Sequence, residues 1–148
     1  MNHSNQVLND LVSATRDGKS FYENAAAEVT DSKLKTLFTR LAKVKGEIAV
    51  GLSTEIWAAG ETPAVSGTWS GDFTKLYAKV RATLSDKNFA YVAELEDSED
   101  QLLKAFDKAL HDEETTPHAH TVITRYMPEV RLCHDIMRAR KIALKKAA

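Results

Sequence analysis

Apolar positions recur every three to four residues through four long runs of this chain, the spacing of one buried helical face. The first run extends from about Ser4 to Val29 and sets Leu8, Leu11, Val12, Thr15, Tyr22, Ala26 and Val29 on one side. A second begins after Asp31 or Ser32, either of which suits an N-cap, and reaches about Ala59 before the stop at Gly60. Its inner stripe is Leu34, Leu37, Phe38, Leu41, Val44, Ile48, Leu52 and Ile56. The third runs from about Asp86 to His111 with Val92, Leu95, Leu102, Leu103, Phe106 and Leu110 inward. Thr116 followed by Pro117 opens the fourth, since proline suits a first helical position. That helix turns Val122, Ile123, Tyr126, Met127, Val130, His134 and Met137 inward. Pro128 removes one of its backbone hydrogen bonds and predicts a kink.

Short links join the first helix to the second and the third to the fourth, predicting two antiparallel helical hairpins. The stretch from Gly60 to Ser85 is the long connection between them. It begins with turn residues (GETPAVSG) and continues as a short amphipathic helix carrying Trp69, Phe73, Tyr77, Val80 and Leu84. The expected architecture is an all-α, four-helix bundle in which the crossover carries that helix. A faint internal repeat relates Thr15–Tyr22 to Glu99–Phe106.

Composition narrows this picture. One domain over 1–148 suits the length, and 43% apolar with 28% charged residues is ordinary for a globular chain. Twenty basic and 21 acidic residues nearly cancel, so no global field points to nucleic acid or to an anionic membrane. No stretch approaches the ~20 apolar residues of a membrane helix, and the N-terminus has none of the marks of a signal peptide. The expected location is cytoplasmic, with Cys133, the single cysteine, as a structural thiol. The basic tail from about Arg138 complements a helix C-terminus.

The exceptions to the pattern carry the candidate chemistry. Stepping about 100° per residue, Glu99 falls at the centre of the Val92, Leu95, Leu103, Phe106 face, and Lys45 falls between Leu41, Ile48 and Leu52. His134 falls among Ile123, Met127, Val130 and Met137, Thr15 is also inward, and Arg131 flanks its face. An unpaired charge in such a position costs more than the whole domain's net stability. The expectation is therefore that Lys45 and Glu99 meet, with Thr15, His134 and Arg131 completing a polar cluster.

Several short motifs, in order and spacing, resemble a family of small bacterial ferritin-like four-helix-bundle proteins of uncharacterised function. They are Leu8-Asn9-Asp10-Leu11, Asp17-Gly18, Gly60-Glu61-Thr62-Pro63 leading to Ser70-Gly71, Glu99-Asp100 and His134-Asp135. The resemblance spans nearly the whole chain and implies a place in the ferritin/rubrerythrin-like superfamily. Metal-binding members supply an inward Glu from each hairpin's first helix and a Glu-x-x-His pair from each second helix. Carried over, those positions hold Thr15 and Glu99 in the first helices, Lys45 and Ile48 in the second, and Arg131 and His134 in the fourth. Only Glu99 and His134 keep ligand-type side chains, so the resemblance implies a degenerate di-iron site.

The function expected from this reading is non-catalytic. The bundle would act as a homo-oligomer or through a protein partner, with a stress-related role by analogy of fold. No cofactor is expected. Phe21, Trp57, Trp69 and Phe73 are the candidate interface, the equal alternative being that the crossover helix covers Phe21 and the tryptophans. The alternative is an iron- or manganese-binding oxidoreductase or iron-handling protein using Glu96, Glu99 and His134. A third class, an anion held in the polar centre, also remains open. His111, His118 and His120 near the last interhelical link match no metal motif.

Overall fold

The computed structural model describes residues 1–65, 70–84 and 86–147, with residues 70–74 and 76 taken as backbone only. Among these described residues five helices follow in order: α1 (His3–Glu28), α2 (Ser32–Ala58), α3 (Ser70–Ala82), α4 (Lys87–Leu110) and α5 (Pro117–Ala147). Among the described residues there is no strand.

Side-chain caps set the helix starts. Asn2 accepts from the Asn5 amide, Asp31 from Leu34, Asp86 from Phe89 and Thr116 from Ala119, each satisfying an otherwise orphaned N–H. After α2 the chain turns at Gly60, whose φ of +80° is costly for any residue with a Cβ. α5 runs continuously through Pro128.

Contacts at the helix ends fix the directions. His3 at the start of α1 meets Asp112 just after α4, while Thr30 after α1 exchanges two 3.0 Å hydrogen bonds with Asn88 near the start of α4. α1 and α4 are thus antiparallel. Glu55 near the end of α2 meets His118 at the start of α5 (2.9 Å) and Arg125 (3.6 Å), so α2 and α5 are antiparallel as well. With the two hairpins, each long helix runs opposite to both of its neighbours.

The core falls into two apolar clusters. One gathers Phe21, Tyr22, Phe38, Leu41, Val92, Leu95 and Met137, and the other Leu11, Ile48, Leu52, Phe106, Ile123 and Val130. α3 lies over the first. Its Val80 is buried, and Tyr77 meets Phe21 and Tyr91 edge-on at ring-centroid distances of 6.0 and 6.3 Å.

That cover corrects one expectation. Phe21 is fully buried, because Tyr77 of α3 and Tyr91 of α4 pack against its ring. It is not free to form an interface. Leu84, expected on the inner face of the crossover helix, lies beyond the end of α3 and is fully exposed. Trp57 is exposed on α2. Trp69 lies outside the described residues, as does the side chain of Phe73.

Candidate functional site

Lys45 and Glu99 sit between the two apolar clusters, on α2 and α4, with almost no solvent exposure. Glu99 follows Leu95 and precedes Phe106 on the inner stripe of α4, and Lys45 lies between Leu41 and Ile48 on α2. Neither position is near a helix end, so neither charge can reach water along its own side chain. They pair with each other, Lys45 Nζ against Glu99 Oε1.

Glu99 has a second partner. The Tyr22 hydroxyl on α1 donates to Glu99 Oε2 at 2.8 Å. Burial first, and then the Glu99 charge, pushes the Tyr22 phenol well above its ordinary range, so it stays protonated as the donor. The two oxygens of the carboxylate are thereby divided between an ammonium and a phenol from different helices. Sequence reasoning treated Tyr22 only as a core residue. The available signal was its hydroxyl, which needs a partner on a face otherwise made of hydrocarbon.

α5 contributes Cys133 to this centre. The thiol is buried, and burial raises it to about 11 against an opposing pull from the Lys45 ammonium. It is protonated at neutral pH, which makes it a packing group and not a nucleophile. Lys45 Nζ thus faces the Glu99 carboxylate and the Cys133 thiol, the second of which it draws against the effect of burial.

The other residues of the expected cluster go elsewhere. Thr15 is buried, but its hydroxyl donates to the Leu11 carbonyl of its own helix at 2.7 Å, leaving no proton for Glu99. Arg131 is exposed. His134 lies at the flank of α5 with its side chain 12% exposed, its Nε2 3.4 Å from Asp100 and its Nδ1 3.0 Å from Asp135. One position of helical phase separates the two outcomes: Cys133 takes the inward direction, and His134 turns toward the rim of α4. There Lys104 first, and His134 after it, hold the Asp100 carboxyl below its usual range.

Glu96, Glu99 and His134 therefore do not converge. Glu96 is drawn to the last turns of α5, where Lys141 Nζ (3.4 Å) and Arg138 (3.9 Å) approach its two oxygens. Among the described residues no group of three or more His, Cys, Asp and Glu side chains is placed to hold a metal ion. The link histidines are likewise dispersed: His111 on the Asp107 carbonyl, His118 on Glu55 and His120 on the Asp112 carbonyl. No helix among the described residues is long and apolar enough to cross a membrane.

The profile of a family described as Domain of unknown function (DUF2383) matches residues 4–112, and the chain belongs to that family. The matched span contains Tyr22, Lys45 and Glu99 and ends before α5. No curated protein matches the chain.

Proposed function

We propose that this DUF2383 member is a ferritin-like four-helix bundle in which a buried ion pair takes the place of a di-metal centre. It works by associating with a second copy or a protein partner, and not by catalysis. The observation that carries this reading is the saturation of Glu99: Lys45 engages one oxygen and Tyr22 the other. The long helices, each antiparallel to two neighbours, suit the two-hairpin, single-crossover topology of ferritin-like bundles.

The residues at the corresponding positions do not fit two metal ions. A di-metal site of this fold uses four carboxylates and two imidazoles facing inward. Here Thr15, Lys45, Ile48 and Arg131 offer none of these, and the Lys45 ammonium repels a divalent cation from Glu99, the carboxylate it pairs with at the centre. The bundle instead acts through its surface, in the cytoplasm, where a lone buried thiol such as Cys133 stays reduced. Val50 and Trp57 give α2 an apolar outer edge, both more than half exposed and two turns apart.

Metal analysis of untagged protein, purified without chelator, tests the centre. Iron, manganese and zinc are expected well below one ion per chain. Stoichiometric metal that disappears in Glu99→Gln or His134→Ala would overturn the proposal and restore the iron- or manganese-binding alternative.

A further inference from the structure

Among the described residues, the furrow between α1 and α4 is covered over one half only. Near the end of α1, Tyr77 and Val80 of α3 fill it against Phe21 and Tyr91. Toward the start of α1 it opens into a cleft of about 660 Å³. Leu11 and Ala14 of α1 and Ala105 and Ala109 of α4 form its floor. The two alanines stand one turn apart on the same face of α4 and leave unfilled the space that larger side chains would occupy.

The walls of the cleft carry opposite charges. Asp10 stands on the α1 side and Lys108 on the α4 side. Asp10 accepts a 2.9 Å hydrogen bond from the Gln6 amide, and neither Asp10 nor Lys108 has an ion partner among the described residues. At the end of the cleft Asp112 is already held by His3 at 2.7 Å, so that acid is matched within the protein. His111, also on the lining, turns its Nδ1 to the Asp107 carbonyl at 2.8 Å, so among the described residues the apolar floor lies between one unmatched anion and one unmatched cation.

We propose that this cleft binds a small zwitterion with an apolar body, the chemistry of an apolar α-amino acid. Its ammonium faces Asp10, its carboxylate faces Lys108, and its apolar part covers the alanine floor. The volume and the mainly apolar lining with a few charged groups match small-ligand sites between helices. Charge selects the class. A ligand bearing only a carboxylate gains Lys108 but meets Asp10, and one bearing only an ammonium gains Asp10 but meets Lys108. The site is separate from the buried centre, so its failure would leave the proposed function untouched.

The test uses the full chain, labelled with nitrogen-15, titrated with phenylalanine to millimolar concentrations. Phenethylamine and 3-phenylpropionate serve as single-charge controls. Phenylalanine is expected to shift the amides of Leu11, Ala105 and Ala109 saturably, with both controls binding several-fold more weakly. Asp10→Asn and Lys108→Gln, both exposed changes that spare the core, should each weaken phenylalanine by about two- to fivefold. Ala109→Trp should abolish the shifts while the remaining spectrum stays folded. The proposal is overturned if phenylalanine gives no saturable shift, if the three probes bind alike, or if neither charge variant weakens binding.

Discussion

Lys45 and Glu99 tolerate burial because each removes the other's charge, and Tyr22 answers the carboxylate oxygen that Lys45 leaves. Lys45→Met would strand the Glu99 charge with one phenol, an expected loss of about 3–5 kcal/mol in urea unfolding. Changing both, Lys45→Met with Glu99→Leu, substitutes hydrocarbon for a pair whose attraction is largely offset by desolvation, and should recover most of that loss. Equal unfolding midpoints for the single and double variants would show that the two residues are not coupled. This pair was legible in the sequence because two opposite charges on inward faces leave few alternatives. The remaining membership was not. Helical phase placed both His134 and Thr15 inward, but phase says nothing of local competition. Thr15 satisfies itself on the Leu11 carbonyl, and Asp100 and Asp135 offer His134 partners at the rim that no periodicity reveals.

Caps and the hydrophobic period identified the first three long helices and the start of the fourth to within a residue or two, because Asp31, Asp86, Thr116 and Gly60 act locally; the basic stretch from Arg138, read as a tail, is helical to Ala147. How helices approach one another is a tertiary matter, and Gly51 illustrates it. A Cβ built there would lie 1.8 Å from the Tyr126 hydroxyl oxygen and 2.5 Å from its ring, so the close contact of α2 with α5 depends on that hydrogen. Gly51→Ala gains about 1 kcal/mol of helix propensity yet must displace the Tyr126 ring. In a Tyr126→Ala background the same change should be more favourable by about 1–3 kcal/mol, read from thermal or urea unfolding as a double-mutant cycle. Additive effects would contradict the contact. At the opposite edge, His3 and Asp112 join the start of α1 to the α4–α5 link, where the Ser4 hydroxyl also accepts from the Thr116 amide at 2.9 Å. The Asp112 hydrogen bond raises His3 above 6.5, and His3 in turn lowers Asp112 below 3.8. A raised histidine contributes stability below its unfolded value and loses it as pH rises through the folded one. A lowered aspartate contributes above its unfolded value and loses it as pH falls through the folded one. The melting-temperature difference between wild type and His3→Gln should therefore be largest between about pH 4 and 6.5 and shrink on both sides. A difference independent of pH would rule the ion pair out as its source.

At the scale of the molecule, the interior and the surface make different demands. Phe21 is spent within the fold, the centre is closed by its own charges, and the large apolar groups left to solvent on α2 are Val50 and Trp57. Trp57 is 61% exposed at the last turn of α2, and Val50, two turns earlier, is 62% exposed. A tryptophan held this far out keeps its large apolar surface in water, which a partner surface would relieve at about 25 cal/mol for each Å² covered. Association through this edge should show as a mass above that of one chain in light scattering, rising with concentration. Trp57→Glu should return the protein to the monomer without lowering its melting temperature, because the side chain contributes little to the bundle's own core. Val50→Lys should act in the same direction and more weakly, having less surface to withdraw. A wild-type monomer at every concentration would remove self-association and leave a different protein partner as the occupant of this edge. An oligomer indifferent to both substitutions would instead move the contact to another face of the bundle.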